Sequence, residues 1–317
     1  MLSPSSQVAV LRIVNRWAAR RSCPFPTGGD TYKRCRAYRP HMKVLGVVGP
    51  SDSGKTTLVE RLAERLDEVG RVATVKHLTH APDLDTEGKD TDRHREAGAM
   101  ATYGITDDEG WFALGDERTL RATIDDLAPD YDYCLVEGFS DARIPQVVLG
   151  GRDHAGRTLA EAPEADAVDV EDVVAALRRT EPYETLGSLV ARVKRSHCAE
   201  EAGAIATFTG MVRAKEDEDD DPTEYLEFEK YEGVADERMQ TLREELEERD
   251  GVLEVRLHHR TGLVEAGEDI VFVVVLAAHR REAFRAVEDG IDRLKEEVPL
   301  FKREVTVEDE FWVHERS

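Results

Sequence analysis

The sequence predicts two domains of different class: an α/β domain built around a P-loop, then an α+β domain with an antiparallel sheet. Three observations predict this. A short apolar run, Lys43–Val48, leads into Gly49–Thr56, which reads G-x-x-x-x-G-K-T, and then into apolar residues at helical spacing. From residue 186 onward, strand-like segments come in hairpin-like pairs rather than in alternation with helices. Between the two patterns lies a short polar stretch, Thr180–Thr185, with Glu181 and Pro182. At 317 residues the chain has room for two cores.

The beginning of the chain stands apart. Residues 1–41 hold eight Lys/Arg and one acid, a charge of +7, which leaves −30 on the remainder from 35 basic and 65 acidic residues. Arg20–Arg21 lacks the apolar segment that an export signal requires. These residues read as a disordered extension, or as a misplaced start with Met42 the true one. No apolar run reaches the length of a membrane span. Cys23, Cys35, Cys134 and Cys198 lie far apart, without metal or disulfide spacing, so a cytoplasmic location is expected. The acidic body disfavours nucleic acid and anionic membranes as partners. It also suits a halophilic source, where a salt-rich cytoplasm screens self-repulsion.

In the first domain, Leu58, Leu62, Leu66 and Val69 continue the helix after the loop until Gly70. Gly49 and Gly54 let backbone N–H groups wrap phosphate oxygens at a helix N-terminus. Lys55 reaches the terminal phosphates and the Thr56 hydroxyl ligates Mg²⁺; Ser51, Asp52, Ser53 and Thr57 complete the predicted nucleotide contacts. Residues 71–77 give a second strand ending in Lys76 and His77, and 131–139 a third, with Glu137 at its end. That carboxylate is either the second Mg²⁺ contact or an ordinary edge acid. Residues 83–99 are dense in charge without apolar period and read as a solvated loop. Ile144–Leu149 is the last strand-like segment, and a short helix, Val170–Arg178, closes the domain. The base is not legible: Asn15 is the sole asparagine, so no Asn-Lys-x-Asp exists.

The second domain reads as helix (to about Lys194), strands (203–209, 224–230), helix (235–248), strands (253–260, 269–277), helix (280–297) and closing strands. The acidic run 216–221 is an exposed loop. Lysine is scarce, ten against 33 arginines, yet Lys295 and Lys302 flank Pro299. An arginine stays charged, whereas a lysine amine can be tuned to exchange its proton. Pro299 ends the helix, which puts Lys295 in the last turn and Lys302 on the next strand. With Arg213, His279, Arg280 and Arg303 at element ends or in loops, these residues form a candidate anion pocket. The alternative is that Lys295 only complements the helix C-terminus and neighbouring acids.

Two resemblances add to this reading. "GPSDSGKTTL", "VKH", "GKDTDRHREAGA" and "LVEGF" resemble molybdopterin-guanine dinucleotide biosynthesis protein B (MobB) over about 42–178. The resemblance implies GTP with Mg²⁺ and an accessory role, with feeble GTPase activity, in forming the guanine dinucleotide cofactor. Ser140 departs from the lysine frequent in that family. "GAIATFTGMVR", "EKYEG", "HHRTGLVEAGEDIVFVVVLAAHR", "RLKEEVPLFKRE" and "FWVHE" resemble the catalytic (large) subunit of molybdopterin synthase (MoaE) over 183–317. This implies sulfur transfer from a thiocarboxylated, ubiquitin-like small subunit to cyclic pyranopterin monophosphate, giving molybdopterin. It implies Lys295 and Lys302 as catalytic residues, with Arg213, His279, Arg280, Arg303 and Glu304 binding substrate. Lys295 serves either as a proton acceptor or as a protonated acid and anion anchor. Expected partners are the small subunit, a second copy in a homodimer, and the guanylyltransferase of cofactor maturation. The resulting domains are 42–179, a joint at 180–185, and 186–317. Competing readings are a non-catalytic GTP-binding scaffold that docks the sulfur carrier, and an ATP-dependent P-loop transferase.

Overall fold

The computed structural model describes residues 41–79, 90–107, 110–115, 117–215, 221–231, 233–306 and 310–313. The expectations for residues 1–40, for the acidic loop through 220 and for the end of "FWVHE" lie outside them. Residues 78–122 form one compact unit; 39–77 and 123–317 form another.

The chain opens with β1 (Lys43–Val48), α1 (Lys55–Asp67) and β2 (Val72–Lys76). Leu58, Leu62 and Leu66 are fully buried along α1, as their spacing requires. Val69 is not on that face: the helix stops at Asp67, and Val69 is exposed. Within 78–122, α2 (Asp90–Glu96) occupies part of the stretch read as loop. It buries nothing, which explains its missing apolar period; Arg95 pairs with Asp92 at i,i+3 instead. β3 (Ala101–Ile105) and β4 (Trp111–Gly115) form an antiparallel hairpin with Ile105 opposite Trp111.

After α3 (Leu120–Leu127) come β5 (Tyr133–Glu137), β6 (Gln146–Leu149), β7 (Thr158–Ala162) and α4 (Val170–Arg178). Asp169 caps α4 by accepting from the Glu171 and Asp172 amides. The sheet order is β2-β5-β1-β6-β7, and every pairing is parallel. β1 and β5 are buried on both faces, as an interior parallel strand must be. Their carboxyl ends share one edge of the sheet, where ligands bind in such folds.

The second half comprises α5 (Leu186–Lys194), β8 (Ala204–Met211), β9 (Thr223–Lys230), α6 (Val234–Glu247), β10 (Val252–His259), β11 (Gly262–Glu265), β12 (Asp269–Ala277), α7 (Arg280–Glu297), β13 (Leu300–Thr306) and β14 (Glu310–Val313). Two sheets result, β10-β12-β8 and β11-β9-β13-β14, with antiparallel pairings throughout. β12 is covered on both faces, and its alternation shows how. Val271, Val273, Val275 and Ala277 pack with residues of α6 and α7, while Phe272, Val274 and Leu276 pack with Leu189 and Val193 of α5.

The stretch 180–185 is bonded on both sides. The Tyr183 amide donates to the Met42 carbonyl at 2.8 Å and its hydroxyl to Asp125 at 2.6 Å. Glu184, 3% exposed, accepts from Arg192 at 2.9 Å and from the Ser188 hydroxyl at 2.6 Å, and His41 lies against it. Glu181 receives Thr261 and pairs with Lys230. Among the described residues no helix is long and apolar enough to cross a membrane.

Candidate functional site

The first candidate site lies at the carboxyl edge of the parallel sheet. The loop from β1 to α1 turns through two left-handed residues, Asp52 (φ 62°) and Gly54 (φ 83°). At Gly54 a side chain is excluded twice, by that conformation and because a Cβ would come 2.7 Å from the Ala165 Cβ. Ser53 is buried inside the loop with its hydroxyl on the Pro50 carbonyl at 2.9 Å, whereas Ser51 and Asp52 are exposed at the tip. A Cβ on Gly49 would lie 2.6 Å from the Ser53 Oγ, so the loop closes only around glycine. The Lys55 amine reaches back to the Pro50 carbonyl at 2.5 Å, across the mouth of the cradle. Thr56 and Thr57 open α1 and are exposed.

Behind the loop, Glu137 ends β5 at 8% exposure. The Thr56 hydroxyl donates to its Oε1 at 2.8 Å. Lys76, its partner in the parallel register of β2 and β5, completes the group: its amine is 3.0 Å from Glu137 Oε1 and 3.1 Å from Thr56 Oγ1. Sequence reasoning noticed Lys76 only as the end of a strand. Two strands ending together, one in lysine and one in glutamate, are the signal that would have found the pair.

The second candidate site lies in the α+β half, where strand register separates the predicted residues. In the β8–β12 pair, Ala204 faces Ala277 and Met211 faces Asp269. Arg213 follows one end of that ladder; His279 and Arg280 follow the other. At ~3.3 Å per residue the two ends are roughly 25 Å apart. α7 starts beside His279 and runs back along the sheet: Glu282 approaches Gly251 near the Ala277 end, and Gly290 approaches Val273. Lys295, in its last turn, therefore arrives at the Arg213 end. One chain brings Arg213 and Lys295 to one end, but His279 and Arg280 do not join them. This corrects the single pocket expected from the sequence.

β13 adds a second correction. Lys302 is opposite Phe228 and Glu304 opposite Leu226, two buried residues that pack with Val212, Val264 and Ile270. Lys302 and Glu304 therefore look toward the Arg213 end of the first sheet, and their charged ends are 3.9 Å apart. Glu304 also accepts from the Thr223 hydroxyl at 2.5 Å. Arg303, between them, points to the opposite face and pairs with its cross-strand neighbour Glu227, Nε to Oε2 at 2.9 Å. Arg303 thus does not share the face of Lys302.

Lys295 is exposed, and among the described residues no carboxylate lies within ion-pair distance of it. The nearby Glu297 is bound by Arg293 at 2.7 Å and by Arg238. Those guanidiniums hold the Glu297 carboxyl below its ordinary range. His259, which the sequence reading passed over, stacks edge-on against Phe228 at 4.8 Å, next to the strand position of Lys302.

Comparison with known proteins bears on both sites. The family model of the MoaE protein matches residues 179–297, and that of molybdopterin guanine dinucleotide synthesis protein B matches 44–171. A Haloferax volcanii protein described as "Probable molybdopterin synthase" is 57% identical over 275 residues, covering 87% of this chain and 100% of its own. The chain belongs to the molybdopterin synthase family. Its first half resembles a molybdopterin-guanine dinucleotide biosynthesis adapter protein of Haemophilus influenzae, 39% identical over 112 residues, 33% of this chain and 62% of that one. A molybdopterin synthase structure from Staphylococcus aureus is 32% identical and covers 43% of this chain and 93% of its own, with a TM-score of 0.38. Both resemblances read from the sequence therefore hold. As a molybdopterin synthase family member with a MobB domain, this is an enzyme of molybdenum cofactor biosynthesis.

Proposed function

We propose that the α+β half transfers sulfur from the thiocarboxylated tail of a small ubiquitin-like subunit to cyclic pyranopterin monophosphate, giving molybdopterin. The observation that carries this reading is the convergence of Arg213, Lys295 and Lys302 on one end of the β8–β12 ladder. The substrate phosphate and the incoming tail are both anions, and fixed cations orient them for attack. Sulfur attack and ring opening need a proton donor and acceptor. An exposed lysine beside a proline-terminated helix end suits that task. Lys302 on the inner face, braced by Glu304, is the second amine.

His279 and Arg280 enter this reading only through a second copy of the chain. They lie at the far end of the same sheet, so a homodimer that juxtaposes opposite ends would supply them to the partner's Lys295. The exclusion of Arg303 from the inner face narrows the substrate contacts to Arg213, Lys295, Lys302, Glu304 and that pair.

For the first half we propose GTP binding by Gly49–Thr57, assisting guanine dinucleotide formation with a guanylyltransferase as partner. Magnesium fits the residues present. The Thr56 and Glu137 oxygens are 2.8 Å apart, and adjacent ligands of a magnesium octahedron lie about 2.8–3.0 Å apart. Thr56 and Glu137 would hold it, Glu137 directly or through water; bound there, it would neutralise phosphate charge.

Reconstitution tests the proposal. The purified chain in high KCl is mixed with cyclic pyranopterin monophosphate and thiocarboxylated small subunit, and molybdopterin is read as its fluorescent oxidised derivative. Product from the parent, and none from folded Lys295→Ala or Lys302→Ala, supports sulfur transfer. No product from a folded parent with a verified partner would leave a docking scaffold instead. Relative affinity for GTP and ATP tests the nucleotide reading.

A further inference from the structure

The nucleotide site contains a cation of its own. Glu137 is buried at the end of a central strand, and a buried carboxylate is costly unless paired. The parallel register of β2 and β5 sets Lys76 beside it, and the two strand ends are pinned. The His77 amide donates to the Glu137 carbonyl at 2.9 Å, and a Cβ on Gly138 would stand 2.8 Å from the His77 Cβ. With the backbones fixed, the Lys76 side chain spans the remaining gap. Its amine bridges the same two oxygens, Glu137 Oε1 at 3.0 Å and Thr56 Oγ1 at 3.1 Å, that fit a magnesium edge.

We propose that Lys76 is the resident counter-cation of this site. Its ammonium bridges Thr56 and Glu137 in the nucleotide-free protein, and a divalent ion enters only together with nucleotide phosphates, which draw the amine away. The proposal rests on the nucleotide-binding reading above. Three properties favour an exchangeable role over a structural one. The Lys76 side chain is 49% exposed, so it can swing out, whereas Glu137 at 10% cannot follow it. Its contact with the carboxylate is single and not a two-point fork, so one entering phosphate oxygen can compete for it. The loop that would hold those phosphates begins at Gly49, directly beyond β1, the other neighbour of β5. An ammonium and a divalent ion cannot share one pair of oxygens, because they repel at close range.

Mn²⁺ alone, followed by electron paramagnetic resonance of the free ion, is the probe. Without nucleotide, Lys76→Met is expected to bind Mn²⁺ about ten-fold more tightly than the parent, and Lys76→Arg no more tightly than the parent. Lys76→Gln, which keeps a donor toward Glu137 without a charge, serves as the second neutral variant and should also gain affinity. With saturating GTP, parent and neutral variants should converge to within about three-fold, because the amine has then left. Unchanged Mn²⁺ affinity in both folded neutral variants would overturn the proposal. So would a difference that GTP leaves intact. Calorimetry of Mg²⁺·GTP binding to the parent tests the underlying reading separately. Its failure removes nucleotide binding, and a Mn²⁺ gain in the neutral variants would then mark Lys76 as a plug in a metal site of another kind.

Discussion

Arg303 and Glu227 face each other across β13 and β9, Nε to Oε2 at 2.9 Å, on the side of the sheet turned away from Lys302. Three consecutive charged residues, Lys302, Arg303 and Glu304, therefore divide into an inner pair and an outer one. Arg303→Ala is expected to lower molybdopterin formation less than about three-fold while costing up to about 1 kcal/mol of stability. Lys302→Ala is expected to do the reverse, reducing product at least about 100-fold with little change in melting temperature. Activity and thermal melts on the two variants check the division. Equal activity losses would place both side chains at the substrate.

The distance between Arg213 and His279 makes a prediction about mixtures. Lys295→Ala and Arg280→Ala should each be inactive as pure proteins. Co-assembled from a mixed preparation, they should recover about a quarter of parental activity per chain, because half the dimers are mixed and each holds one intact site. Tagged co-purification followed by the fluorescence readout measures this. No recovery in verified mixed dimers would mean that His279 and Arg280 act within their own chain or not at all.

Much of this architecture is visible in the bare sequence, for reasons specific to each segment. α4 and α7 have apolar period and clear ends, Asp169 at the start of one and Pro299 after the other. β12 is an unbroken apolar run because helices cover both its faces. β7 and β11 escaped notice: the first offers the core only Leu159 and two alanines between exposed Thr158 and Glu161, and the second has four residues. The sites were less legible than the elements. That Lys302 and Arg303 diverge follows from strand alternation alone and could have been read. That His279 lies far from Arg213 needs the antiparallel pairing of β8 with β12, and the Lys76–Glu137 contact needs the parallel pairing of β2 with β5. Neither is a local property of the chain.

Acid should destabilise the fold through His258. Burial, with Arg260 beside it, lowers His258 to about 3. It is neutral when folded, and the unfolded chain protonates it near 6.5. Unfolded protein thus binds more protons below that value, so its contribution is complete above about pH 6.5 and is lost as pH falls toward 3. Urea unfolding at fixed salt should give falling stability from pH 7 to 5, by up to about 1.4 kcal/mol per unit from this histidine. His258→Phe should flatten the slope. A slope unchanged in that variant would assign the loss to other groups.

Charge predicts the response to salt. At a net −23 the chain repels itself, and screening relieves that repulsion. The melting temperature should rise between low and molar KCl, since the exposed ion pairs lost to screening contribute little. A flat or falling curve would remove the case for a halophilic design.

The bonded stretch between the halves limits where the chain can be divided. A chain cut at Pro182 would part Tyr183 from Met42 and Asp125, and His41 from Glu184. Each fragment would carry polar groups shaped for a neighbour it no longer has. The two pieces made separately are therefore expected to be less stable than the same residues in one unbroken chain, where each of these groups keeps its partner.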